Sequence, residues 1–354
     1  MSDEVSRRKS AGRGCKHGGF GRKDARLAEV TDKHGEAAPE VWVLADDRAG
    51  NVGQCLGVAE ALGRPFVVKS IRYTRLARLP NVLRGASLMG VTAESRASLA
   101  APWPRLVIAA GRRTAPVARW IKRRCGARLV QIMDPGFGGR GDFDLIAVPA
   151  HDGKELTGGK VLTVTGAPHR VNTAKLTAAA EEWRARFAHL PRPWVGLIVG
   201  GTTKDRVFDA GMARQLGERV AVLAAGGSVL VTTSRRTDEA AEAALLATLP
   251  EPRFVHSWRA GGDNPYFGLL GLCDALVVTG DSVSMACEAC ASPAPVYLFA
   301  PPGFVVPKHA RLHAQLYQRG LARPLEDGIH LKAWTHPPLN AAADIVAAIR
   351  ERGL

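Results

Sequence analysis

The stretch NPYFGLLGLCDALVVTGDSVSMACEACASPAPVYLF, Asn264 to Phe299, decides the reading of the chain. An apolar run, Ala275 to Val278, ends in TGDS, and small helix-forming residues follow until Ser292 and Pro293 stop them. The pattern predicts a strand, a tight turn and a helix start. Gly280 permits turn torsions that larger residues resist, and Asp281 or Ser282 supplies a side-chain cap. The first N–H groups of such a helix lack partners and carry roughly half a positive charge, a setting that suits a diphosphate. Ser284 and Met285 lie in its first turn. Glu288 lies about one and a half turns in, within reach of ribose hydroxyls. Strand-turn-helix units that bind nothing are common in α/β proteins, so the neighbouring loops must decide.

Working outward, short apolar runs recur at Val195 to Val199, Ser228 to Thr232, Arg253 to Val255 and Pro295 to Phe299. They alternate with helical periodicity, which is the signature of a parallel sheet wrapped by helices. Ligands of such sheets bind beyond the carboxyl ends of the strands. The run to Val199 ends in GGTTKD, where Gly200 and Gly201 let a ligand approach the backbone, Thr202 offers a hydroxyl and Lys204 a mobile charge. The spacing is not that of a Walker A loop. The next run ends in TTSRRTDEA, placing Thr233, Ser234 and Arg235 at the same edge, with Thr237 or Asp238 as helix cap; Arg235 or Arg236 has the fork geometry to clamp a phosphate or carboxylate. Three such loops at strand ends of one domain converge on one anion.

A first series precedes this one, with strands at Val41 to Leu44, Phe66 to Ile71, Leu106 to Ala109, Arg128 to Ile132, Leu145 to Val148 and Val161 to Val164. Helices fall at Gln54 to Leu62, Ala115 to Arg124 and about Leu176 to Leu190. The first strand ends in ADD and leads through a Gly50/Gly53 turn, placing Asp46, Asp47, Asn51 and Gln54 at the edge that faces the second series. Asp46 there either serves as a general base towards an acceptor hydroxyl or caps the turn. AGRRT puts Arg112 and Arg113 at another strand end. VPAHD sets His151 beside Asp152, a pairing that suits an oriented acid or base, and TGAPHRVN adds His169 and Arg170. HARLH, His309 to His313, has the spacing of a metal pair without a third ligand and reads as a solvated helix face. The segment KSIRYTRLARLPNVLRG, Lys69 to Gly85, spaces Arg72, Arg75 and Arg78 among leucines; it reads either as a surface helix or as a contact for an anionic membrane.

The chain has 354 residues, enough for two cores, and a formal charge of +15. Residues 1–38 hold nine Lys/Arg and six Asp/Glu, so +12 remains on the rest and the folded body itself is basic. A basic body attracts nucleic acid, anionic lipid or phosphorylated small molecules; no helix-turn-helix, RNP or zinc-finger pattern supports the first. No run approaches the ~20 apolar residues of a spanning helix. No apolar segment of secretory type follows the basic N-terminal residues, so the default location is the cytoplasm, with peripheral contact at the inner face of the cytoplasmic membrane as an option. The six cysteines lack the paired spacing of a zinc site, and no metal or cofactor is expected. The domain plan is a disordered basic leader over 1–39, an acceptor-side domain over 40–190, a nucleotide-sugar-side domain from the PRP linker at Pro191 over 191–335, and a last helix over 336–354 packing back across the hinge.

Taken jointly, DDRAGNVGQCLGVAEALG, AAGRRT, FDLIAVPAHD, TGAPHRV, the Gly200 loop, TTSRRT, NPYFGLL and VVTGDSVSMACEA resemble the mitochondrial fission Elm family, in a bacterial member. More distantly, the two-domain plan and GDSVSMACEA are similar to GT-B glycosyltransferases such as the enzyme that adds N-acetylglucosamine to lipid-linked peptidoglycan precursors. That resemblance implies two Rossmann-like domains facing across a cleft, with Glu288 holding the nucleotide ribose. The glycine-rich first loop and histidine of the peptidoglycan enzyme are replaced here by DDRAGN. The expected activity is transfer of a sugar from a uridine diphosphate-linked donor to an envelope-related acceptor, without a metal. A non-catalytic protein of the membrane surface and a nucleotide-sugar epimerase are the alternatives.

Overall fold

The computed structural model describes residues 40–153 and 156–354; the leader expected over 1–39 lies outside the described residues. Two six-stranded parallel sheets organise the rest. The first runs β2-β1-β3-β4-β5-β6, with β1 Val41–Ala45, β2 Phe66–Ser70, β3 Leu106–Ala110, β4 Arg128–Ile132, β5 Leu145–Pro149 and β6 Val161–Val164. The second runs β12-β11-β10-β7-β8-β9, with β7 Trp194–Val199, β8 Ser228–Thr233, β9 Arg253–His256, β10 Ala275–Thr279, β11 Val296–Phe299 and β12 Arg323–Pro324. This is the α/β, doubly wound plan in two Rossmann-like halves.

Central strands are apolar without alternation because both faces of a parallel sheet are covered. Along β1 and β3, Val41, Val43, Leu106 and Ile108 enter one cluster while Trp42, Leu44, Val107 and Ala109 enter another, so each face has its own core. The second sheet repeats this with Ile198, Leu276 and Val278 on one side and Leu197, Val231 and Val277 on the other. Helices α1 (Ala49–Leu62) and α4 (Gly111–Cys125) cover opposite faces of the first sheet; α2 (Asn81–Arg84) and α3 (Ala93–Ala97) are short. On the second, α5 (Thr173–Phe187), α8 (Tyr266–Leu272) and α9 (Val283–Ala289) line one face, α6 (Ala210–Leu223) and α7 (Glu239–Leu246) the other. Helix α10 (Pro307–Gln318) completes this half, and α11 (Ala341–Glu351) follows.

The chain crosses between halves earlier than the PRP segment implies. Leu176, Ala180, Trp183 and Phe187 of α5 pack with Trp194, Ile198 and Leu269, so α5 belongs to the second core. The crossing is the TGAPHRV segment. Ala167 N–H donates to Cys287 Sγ at 3.2 Å, a Cβ on Gly166 would sit 2.8 Å from that sulfur, and Gly57 of α1 packs directly on the His169 backbone. The return crossing ends in α11, whose Ile345, Val346 and Ile349 are buried among Val41, Leu56 and Val130 of the first core.

The Lys69–Gly85 segment is not one amphipathic helix. A 3-10 turn, Arg75–Arg78, and the single turn of α2 flank Pro80, whose ring cannot continue a helix and whose missing N–H donates nothing.

Candidate functional site

Strand order reverses between β1 and β3 in the first sheet and between β7 and β10 in the second. Adjacent crossovers leave these points on opposite faces, and the loops there part to form a crevice. The loops after β1, β3, β7 and β10 hold most of the sequence-predicted residues. The two sets face each other: a Cβ on Gly50, after β1, would lie 4.0 Å from Ser284 Oγ of α9.

On the second sheet, three loops are stitched together. Gly200 N–H donates to Thr279 Oγ1 at 2.7 Å, Thr237 Oγ1 donates to the Gly200 carbonyl at 2.8 Å, and Ser234 Oγ donates to the same carbonyl. Thr202 N–H donates to the Arg236 carbonyl at 3.0 Å. Gly201, at φ 128°, adopts a conformation that L side chains rarely reach, and a Cβ there would strike the Arg236 carbonyl; a Cβ on Gly200 would strike the Asp281 carboxylate. Arg236 Nη1 reaches that carboxylate, which is fully buried. So Arg236, not Arg235, is the arginine folded into the loops. Arg235 and Lys204 are exposed and have no ion-pair partner among the described residues.

Several predicted hydroxyls are engaged locally. Thr202 Oγ1 accepts from Phe208 N–H at 3.1 Å, Thr233 Oγ1 from Trp258 N–H at 3.0 Å, and Ser282 Oγ caps α9 by accepting from Met285 N–H at 3.4 Å. Asp238 caps α7. Glu288 is half-buried and accepts the Tyr266 phenol proton. Burial raises the carboxyl pKa of Glu288 against the pull of that hydrogen bond, and burial with the adjacent Glu288 raises Tyr266 well above the ordinary phenol.

On the first sheet, Asp46 has a side chain only 1% exposed, accepting from Arg48 N–H and from Asn51 Nδ2, both at 3.0 Å, with Arg113 Nη2 at 3.8 Å. Asp47 is exposed and paired with the same Arg113. Arg113 also lies over the Tyr73 ring, 5.0 Å from its centroid. Burial and the Asp46 charge push the Tyr73 phenol up. Gly111 at φ 75° and Met133 at φ 65° bring β3 and β4 ends close: a Cβ on Gly111 would be 3.0 Å from Asn51 Nδ2 and 3.7 Å from Met133 Cε. A non-glycine residue in this region stores strain. Gln54 is buried, and Arg112 is turned away to the Leu79 carbonyl at 3.1 Å.

Both histidines singled out as site residues are structural. His151 is 1% exposed; burial, then the Lys308 charge, lowers it to about 4. Its neighbour Asp152 is held by Lys308 Nζ at 2.5 Å, and Arg311 Nε donates to the His151 carbonyl at 3.0 Å, so this pair joins α10 to the first half. His169 is 4% exposed and donates from Nε2 to the Leu339 carbonyl at 3.0 Å, a bond of the crossing rather than of the acceptor side. Conversely, HARLH is not a solvated face: His313 is 4% exposed and its ring packs on Gly280, 2.5 Å from where a Cβ would sit, while half-buried His309 feels the charges of Lys308, Asp281 and Arg236. The signal was available, because α10 follows β11 and therefore starts at the carboxyl edge. No group of three His, Cys, Asp or Glu placed to hold a metal occurs among the described residues. A hollow of about 840 Å³ lies at the opposite, amino ends of the strands, lined by Glu40, Trp103, Arg105 and Arg128, and contains none of these groups.

The family model described as mitochondrial fission ELM1 matches residues 49–353. The chain belongs to the mitochondrial fission ELM1 family. Within it, the mitochondrial fission protein ELM1 of Arabidopsis thaliana is 31% identical over 290 residues, covering 75% of this chain and 67% of that protein. An uncharacterized protein of Rickettsia prowazekii is 28% identical over 346 residues, covering 88% of this chain and 97% of the relative. Among solved structures, a candidate UDP-N-acetylglucosamine 2-epimerase from Listeria monocytogenes matches at TM-score 0.50 and 13% identity over 90% of this chain and 97% of that one, a likeness of fold. For this ELM1-family chain, no helix among the described residues is long and apolar enough to cross a membrane.

Proposed function

We propose that the protein binds a nucleotide-activated sugar, uridine diphosphate-linked, in the crevice between its two sheets and transfers the sugar to an envelope-related acceptor. The observation that carries this is the convergence of the Gly200, Ser234 and Asp281 loops at the reversal point of the second sheet, opposite the Asp46 loop of the first. The donor side comprises Gly200, Gly201, Thr202, Ser234, Ser284 and Glu288. Lys204 and Arg235, exposed at the rim and unpaired among the described residues, swing onto the diphosphate and offset the charge that develops on it. Asp46, held by Asn51 and Arg113, takes the acceptor proton.

Calorimetry with uridine diphosphate tests the donor side. Glu288→Ala is expected to weaken binding about tenfold or more, the scale of a lost hydrogen bond to a charged group, while Tyr266→Phe, which leaves the carboxylate in place, retains affinity. Equal affinity for wild type and Glu288→Ala would remove Glu288 from the site.

One observation favours a second reading. Asp281 already neutralises Arg236, so the cation built into the loops is not free for a phosphate. A protein of this shape that performs no chemistry needs no such cation and accommodates that better, whereas a nucleotide-sugar epimerase must hold the diphosphate as a transferase does. Incubation with donor alone, followed by NMR, tests the epimerase: an isomer marks it and an unchanged donor excludes it.

A further inference from the structure

Five large apolar side chains stand exposed on two neighbouring loops of the first half: Leu76, Val82, Leu83, Met89 and Phe137, the last 82% exposed. Their loops are in contact. A Cβ on Gly138 would lie 3.1 Å from Val82 Cγ2, Gly90 packs on the backbone of Leu76 and Ala77, and Asn81 Nδ2 donates to the Pro135 carbonyl at 2.7 Å. The patch is therefore one surface with a rigid footing. Buried Arg84 strengthens it by donating to the carbonyls of Met89 and Arg113.

The charge around these side chains is mainly positive. Residues 72–91 contain no Asp or Glu, and Asp134, the one acid in 133–140, is buried against Arg140. Arg75 and Arg78 are exposed and have no ion-pair partner among the described residues; Arg72 is paired only with exposed Glu94. Contiguous apolar surface ringed by polar groups marks an interaction face rather than chance exposure. Solvated arginines beside protruding leucines and a phenylalanine match the boundary of an anionic bilayer, where apolar side chains enter the acyl edge and cations meet head groups. Both loops follow strand carboxyl ends, those of β2 and β4, so the patch borders the crevice beside Arg113.

We infer that this face docks on an anionic lipid surface, with Leu76, Val82, Leu83, Met89 and Phe137 inserting and Arg75 and Arg78 meeting the head groups. The inference stands whether or not the crevice holds a nucleotide sugar.

Vesicle flotation of the full chain tests it, with phosphatidylcholine alone and phosphatidylcholine containing phosphatidylglycerol, across a salt series. Wild type is expected to float with the anionic vesicles and to be released as salt rises. Both Arg75→Glu/Arg78→Glu and Leu83→Ser/Phe137→Ser should weaken binding on the order of tenfold or more, with unchanged melting temperature and unchanged uridine diphosphate calorimetry. Arg123→Glu/Arg124→Glu, the same charge change at the exposed end of α4, should keep most of it. The inference is overturned if wild type ignores the anionic vesicles, if the α4 pair loses as much binding as the patch pair, or if sedimentation finds a dimer that Leu83→Ser/Phe137→Ser dissociates, which would make the patch a contact between copies.

Discussion

Arg235 and Arg236 are neighbours in sequence with opposite surroundings. Arg236 reaches under the Gly200–Gly201 turn to the buried Asp281 carboxylate, while Arg235 stays exposed. Removing one partner of a buried pair leaves the other charge uncompensated. Arg236→Ala is therefore expected to cost about 2–4 kcal/mol in urea unfolding, reduced from the fully buried case because Arg236 retains some exposure, and Arg235→Ala less than about 0.5 kcal/mol. Equal effects would place Asp281 outside a buried pair. At this scale the sequence was legible only in part. Apolar runs located the strand ends, so Gly200, Ser234 and Asp281 could be assigned to one edge. Which arginine turns inward depends on loop torsions and on a carboxylate from a strand far away in sequence. The same limit applies to His151: nothing local distinguishes a solvated histidine from one covered by the other half of the molecule.

At the scale of elements, the parallel strands were readable because burial on both faces demands unbroken apolar runs, as in LVIAA of β3 and ALVVT of β10. Strand β12, two exposed residues, Arg323 and Pro324, has no such run and was not anticipated. Helix α5 is readable as a helix but not as a part of the second half, because its apolar face records that it packs, not against what. Helix α11 carries the larger consequence. Ile345 and Ile349 are fully buried in the first core although they follow the entire second half. Ile345→Ala and Ile349→Ala should each cost about 2–5 kcal/mol, and the loss should appear in protection of β1 and β3 amides by hydrogen exchange rather than in β7 and β10. Loss confined to the second sheet would contradict the packing.

Over the whole molecule, titrating histidines lie where the halves meet, at His151 and His169, and within the second half, at His309 and His313. His151 and His313 are buried and lowered to about 4, from an ordinary value of about 6.5, and His169 and His309 are lowered in the same direction; burial is the first cause in each. A histidine with a depressed folded-state pKa is neutral in both states above about 6.5, so its contribution to stability is intact there. As pH falls from about 6.5 to about 4, the unfolded chain takes up the proton first, and stability declines across that window. Melting temperature should fall steadily over this range, and His313→Gln should flatten part of the slope; a melting temperature independent of pH from 6.5 to 4 would refute the assignment. The general plan, two sheets facing across a crevice, was legible from periodicity and loop chemistry, whereas the ties across it, Lys308 to Asp152 and His169 to the 339 carbonyl, were not, since each joins residues more than a hundred positions apart.

The placement of residues 341–351 on the opening sheet also sets an order of events during synthesis. When β1 to β6 have left the ribosome, the strip of α1, β5 and β6 that this helix will cover is bare, and it stays bare until the second half has been translated. The amino-terminal half is thus a nascent chain awaiting its last piece. Expressed alone as residues 40–171 it should bind chaperones or aggregate, and a separately supplied peptide spanning 336–354 should rescue it.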